Sequence, residues 1–107
     1  MNDCYSKIFI ENGLLRERSE FHYSEIGEGS VFYEVIRVIS GIPLFLSDHL
    51  GRLKISLGHK NENVLPVYRN LESQVLWLIR ESGISNGNIK IVFEYSEKRN
   101  NLLIYFN

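Results

Sequence analysis

The run Phe-Tyr-Glu-Val-Ile-Arg-Val-Ile at positions 32–39 constrains the fold of this chain more than any other stretch. Six of its eight residues are β-branched or aromatic, which suits a pleated surface and predicts a strand. Its period of two puts Tyr33, Val35, Arg37 and Ile39 on one face, with Phe32, Glu34, Ile36 and Val38 on the other. Ser-Gly-Ile-Pro (40–43) reads as a turn and Leu-Phe-Leu (44–46) as a short return strand, so the segment is a hairpin. Two further hairpins are predicted from the same signals. One joins 5–10 to 13–15 around Glu-Asn-Gly; the other joins 88–96 to 101–106 through Glu-Lys-Arg-Asn.

Between these runs lie two stretches of helical period. In the first, 48–57, Ser47 is the predicted N-cap and Asp48 suits the positive end of the helix dipole. Leu50, Leu53 and Leu57 form its apolar stripe, and Gly58 stops it. His49, Arg52 and Ser56 stack along a neighbouring flank. Gly51 costs about 1 kcal/mol against alanine in mid-helix, so a close neighbour is expected there. The second helix, 66–82, starts at Pro66 and ends at Gly83. Its stripe is Tyr68, Leu71, Val75, Leu78 and Ile79. Trp77 falls off that stripe, as a cover for another subunit or as a residue half-buried under a loop. Strands, then helices, then strands give an α+β domain: an antiparallel sheet built from hairpins and covered by two helices.

At 107 residues the chain has room for one domain. Its 12 basic residues against 13 acidic ones leave no excess charge to attract a phosphate backbone, so no nucleic-acid partner is expected. No apolar run approaches the roughly 18 residues of a membrane span, and none at the N-terminus reads as a signal peptide. A cytoplasmic location is therefore expected. Cys4, the single cysteine, can form neither an internal disulfide nor a metal site by itself. His22, His49 and His59 lack metal-ligand spacing, so no metal is expected. There is no GxSxG, HExxH, CxxC or P-loop, and Gly-Glu-Gly-Ser (27–30) is not a dinucleotide fingerprint. No self-contained set of catalytic residues stands out.

Gly-Glu-Gly-Ser, "FYEVIRV", "SGIPLFL" and "DHLGRL", in that order, resemble the small N-terminal domain of the class IV (fold type IV) aminotransferases. "LWLIRESGISNGNIKIVF" is similar to that family's second helix and following strand. The family includes branched-chain and D-amino-acid aminotransferases and aminodeoxychorismate lyase. The resemblance implies a fold type IV small domain over residues 1–107, with the large catalytic domain missing. It implies pyridoxal 5′-phosphate as cofactor and an amino acid or 2-oxo acid as substrate, in a homodimer. Arg52 matches the arginine that grips the cofactor phosphate, and a planar guanidinium suits phosphate oxygens. Without the resemblance, Arg52 reads as a solvated helix charge. Tyr33 matches an aromatic that faces the substrate. Arg37 shares its face and is either a second substrate contact or half of a surface salt bridge. Glu34 and His49 fit the pattern as residues that serve the fold.

Two departures limit the match. No lysine here sits where the family's large domain supplies the one that bonds the cofactor, so the 107 residues alone are expected to be inactive. In place of a Thr-Arg-Gly-type segment the chain has Glu-Tyr-Ser-Glu-Lys-Arg-Asn, where Arg99 is the available substitute. The alternative reading is a stand-alone, non-catalytic module for dimerisation or for binding a small anion.

Overall fold

A computed structural model describes residues 4–21, 30–57, 70–95 and 100–107, with the side chains of Ser30, Leu57 and Tyr95 left aside. The readings placed on residues 27–29, His22, Gly58, His59, Pro66, Tyr68 and Arg99 lie outside these residues. The fold is α+β. Six strands form one antiparallel sheet: β1 (Ile8–Glu11), β2 (Leu14–Glu17), β3 (Ser30–Ile39), β4 (Ile42–Pro43), β5 (Gly87–Tyr95) and β6 (Asn100–Phe106). Their spatial order is β2-β1-β6-β5-β3-β4. Among the described residues two α-helices, α1 (Leu46–Leu57) and α2 (Leu71–Ser82), cover one face. No helix among the described residues is long and apolar enough to cross a membrane.

The hairpin turns explain the registers. Asn12 and Gly13 both have positive φ (50° and 85°), as do Ser40 and Gly41 (51° and 77°). Two consecutive left-handed residues make the tight turn whose twist matches paired strands. Asn12 does more than turn the chain. Its Oδ1 accepts the Leu102 N–H at 2.8 Å and its Nδ2 donates to Asn101 Oδ1 at 2.8 Å, tying the first hairpin to β6. The long pairing of β3 with β5 runs from Ser30 opposite Tyr95 to Val38 opposite Gly87. It carries the period of two across the sheet, so each strand gives alternate side chains to each face.

On the covered face, Ile36, Val38, Ile89, Ile91, Phe93, Leu102 and Ile104 pack beneath Leu50, Leu53, Leu71, Val75 and Leu78 of the helices. Burial of one such side chain is worth about 1.5–3 kcal/mol, so the stripes read from the sequence hold α1 and α2 in place. Trp77 is half-buried against the same core. The opposite face has a smaller cluster over its β1–β6–β5 side: Cys4, Phe9, Phe21, Val92, Leu103 and Tyr105. Phe21 meets Phe9 and Tyr105 edge-on, with ring centres 5.1 and 4.6 Å away. Burial pushes the Cys4 thiol up despite hydrogen bonding with Ser6 and the Arg18 charge, which keeps it a packing group.

Three local expectations are corrected. The return strand is Ile42–Pro43 and not 44–46, because the Ser40–Gly41 turn closes directly on Ile39 and Ile42. Helix α1 starts at Leu46, with the His49 N–H bonded to the Phe45 carbonyl at 3.0 Å. Ser47 therefore lies inside the first turn, and Phe45 (φ 55°) makes the bend that the sequence reading gave to Ser47. Gly51 has no close neighbour among the described residues: a methyl group there would meet none of them within 4 Å.

Candidate functional site

The polar side chains of β3 and α1 meet at one place. Glu34 projects from β3 toward the helices, on the face it shares with Ile36 and Val38, and is itself partly shielded from water. His49 and Arg52, one turn apart on α1, both reach it. His49 Nδ1 lies 2.6 Å from Glu34 Oε1, and Arg52 Nη2 donates to the same oxygen at 3.0 Å. The two nitrogens are 2.9 Å apart. A guanidinium has only donors, so the arrangement closes when His49 carries its proton on Nδ1 and both groups donate to the carboxylate.

Burial of Glu34 works to raise its pKa, but the hydrogen bonds from His49 and Arg52, with the Arg52 charge, outweigh it. The carboxyl therefore titrates below its ordinary value. The charge balance has a consequence for ligands. Glu34 fixes the guanidinium of Arg52 and cancels part of its pull on an anion. Arg52 remains 64% exposed, and its Nε and Nη1 make no hydrogen bond among the described residues. Those donors lie on different edges of the guanidinium, so each is available to an oxygen of a carboxylate or phosphate as a single contact.

Tyr33 and Arg37 lie on the other face of the sheet. Tyr33 is 61% exposed, and the Lys90 ammonium sits 5.1 Å from its ring centre. Arg37 reaches Asn88 Oδ1 at 3.5 Å, a long contact that leaves the side chain loosely held. The three site residues read from the sequence are thus split, Arg52 above the sheet and Tyr33 and Arg37 below it. One ligand reaches both sets only around the edge of β3.

That edge is open among the described residues. β4 pairs with β3 only at Val38 and Ile39, and the bond from the Leu44 N–H to the Arg37 carbonyl adds one rung. By alternation, the backbone groups of Val31, Tyr33 and Val35 also point outward. Apolar side chains gather beside them. Of ten exposed large apolar residues among those described, six belong to β3, β4 and the following turn: Val31, Tyr33, Val35, Ile39, Ile42 and Phe45. A patch of this kind marks a surface that something covers.

No described group of three or more His, Cys, Asp or Glu is placed to hold a metal ion. Sequence reasoning left Glu34 and His49 apart. The available signal was Glu34's position on the strand's apolar face, which α1 covers, together with the 3-residue spacing of His49 and Arg52. Compared with known proteins, the chain matches no family model and no curated protein.

Proposed function

We propose that the chain is the small N-terminal domain of a pyridoxal-phosphate enzyme of the class IV aminotransferase type. Such an enzyme moves an amino group between an amino acid and a 2-oxo acid or cleaves an aminodeoxychorismate-like substrate. The observation that carries this reading is the Glu34–His49–Arg52 cluster. It joins the glutamate of "FYEVIRV" to the histidine and arginine of "DHLGRL", the two motifs on which the resemblance rests.

The residues present fit the cofactor at its phosphate end. Arg52 would hold phosphate oxygens through the guanidinium hydrogens that Glu34 leaves uncovered, while Glu34 fixes the guanidinium so that less side-chain freedom is lost on binding. The bound cofactor supplies an electron sink for bond breaking at the amino acid Cα. Tyr33 offers an aromatic wall and a hydroxyl to the substrate, and Arg37 offers a cation to its carboxylate. The open edge of β3, with its apolar flank, is where a second domain would close the site and supply the lysine.

Reading the coding frame past the codon for Asn107 tests this. A continuing domain with a lysine on a strand supports it; a stop codon there removes the catalytic reading. The 107 residues alone should show no transamination. The second reading, a non-catalytic dimerisation or small-anion module, draws on the same apolar patch. Under that reading, Val35→Glu should dissociate an assembly seen by sedimentation, and Arg52→Ala should not.

A further inference from the structure

The chain holds two Asn-Gly pairs, Asn12–Gly13 and Asn86–Gly87. Glycine has no side chain to shield its nitrogen, so in this dipeptide the main-chain N–H most easily meets the carbonyl carbon of the preceding side chain. The fold treats the two pairs differently. Asn12 is pinned to β6 at both ends of its amide: Oδ1 accepts the Leu102 N–H and Nδ2 donates to Asn101 Oδ1, each at 2.8 Å. Asn86 is exposed at the bend between α2 and β5. Its Oδ1 accepts the Ser40 N–H at 3.0 Å, and its Nδ2 lies 3.3 Å from Ser85 Oγ. A backbone N–H only donates, so the Ser40 contact fixes which end of the amide is oxygen. Gly87 sits in the last rung of the β3–β5 ladder, opposite Val38, and strand ends open most readily. A Cβ at this position would press on the Phe106 ring at 3.2 Å, which favours glycine there.

We propose that Asn86 is a self-modification site, which converts to aspartate and isoaspartate through a cyclic imide with water as the only co-reactant. The Gly87 nitrogen loses its proton to water and bonds to Asn86 Cγ. The Ser40 N–H meets the negative charge that gathers on Oδ1. The Cγ–Nδ2 bond then breaks, and the nitrogen leaves as ammonia with a proton from the Ser85 hydroxyl, which water restores. A water molecule opens the imide at one of its two carbonyls. One opening gives aspartate, and the other routes the main chain through the side-chain carbon as isoaspartate. One water enters and one ammonia leaves, with no oxidation or reduction. Asn12 has the contact at its oxygen but no proton source at its nitrogen, because the amide oxygen of Asn101 has no hydrogen to give. Isoaspartate at position 86 lengthens the main chain by a methylene beside Ser85, whose carbonyl accepts the Gly41 N–H at 2.8 Å. The conversion therefore loosens the tie between β5 and the β3–β4 turn. The site is independent of the Arg52 cluster and of the function proposed for it.

Trypsin separates the two pairs: cleavage after Lys7 and Arg16 releases residues 8–16, and cleavage after Arg80 and Lys90 releases residues 81–90. The intact chain is held at mildly alkaline pH, either folded or in concentrated urea, and then digested. Mass spectrometry follows the amide-to-acid conversion in each peptide, with fragment ions separating Asn86 from Asn88. In the folded chain Asn86 should convert roughly fivefold faster than Asn12, the factor that one hydrogen bond is worth. In urea the two rates should converge. Ser85→Ala should slow the conversion of Asn86 in the folded chain more than in urea, and Ser85→Thr, which keeps the hydroxyl, should convert as the wild type does. No lead for Asn86 in the folded chain, a lead that persists undiminished in urea, or a folded-chain rate that Ser85→Ala leaves unchanged would overturn the proposal.

Discussion

Replacing Glu34 tests the cluster without touching the donors proposed to face a ligand. In the folded chain its Oε1 accepts from His49 at 2.6 Å and from Arg52 at 3.0 Å. Glu34→Gln keeps both acceptor contacts and removes the charge. A hydrogen bond to a charged group is worth about 1 kcal/mol more than a neutral one, but Arg52 is mostly in water and its share is small. The loss is therefore about 1 kcal/mol for glutamine. It is about 2 kcal/mol for Glu34→Ala, which also leaves the shielded His49 without its acceptor. For a domain of this size 1 kcal/mol lowers the melting midpoint by roughly 4 °C. The sign with pH follows from the depressed pKa of Glu34. The unfolded chain holds its proton up to about pH 4.5, the folded chain only below that. The stabilisation is complete at neutral pH and is lost as pH falls through the folded value. Urea or thermal unfolding at pH 7 and near pH 3 checks this. The gap between wild type and Glu34→Gln should be clear at neutral pH and shrink in acid. Equal stability at pH 7, or a gap that does not change with pH, would refute the reasoning.

Three other outcomes are expected from the fold. Gly51→Ala should raise stability by about 0.5–1 kcal/mol in urea unfolding, because an added methyl meets none of the described residues within 4 Å and the unfolded chain loses freedom. Phe21→Ala should cost about 2–4 kcal/mol in the same assay, because it removes the ring that Phe9 and Tyr105 pack on edge. Ser40→Asn should add about 0.5 kcal/mol, because position 40 has φ 51° ahead of Gly41 and asparagine tolerates that region better than serine.

The long strands were legible because alternation and turn dipeptides are local signals, while the short return strand was misplaced by two residues. "FYEVIRVI" sorts into two faces by inspection, and the Asn12–Gly13 pair announces its turn. The start of α1 was not legible. Ser47 looks like a better cap than Phe45, yet the short β4 and the Ser40–Gly41 turn decide where the chain can begin to coil. Gly51 misled for a related reason: a glycine can mark close packing, but its neighbours come from elsewhere in the fold. In the candidate site, the residue types were visible and their grouping was not. Period two separates Tyr33 and Arg37 from Glu34, but only the packing of α1 on β3 shows that Arg52 joins Glu34.

The most direct test of the account is whether the Arg52 cluster holds the phosphate of the cofactor. Pyridoxine 5′-phosphate and pyridoxine serve as probes, because neither has the aldehyde that would modify lysines at random. Backbone amide NMR of the intact chain should show shifts at Glu34, His49 and Arg52 with the phosphorylated compound, at roughly millimolar affinity for one exposed anchor. Pyridoxine should leave these positions unmoved, and Arg52→Ala should abolish the shifts while the sheet resonances stay in place. Identical shifts with both compounds, or unchanged binding by Arg52→Ala, would contradict the claim.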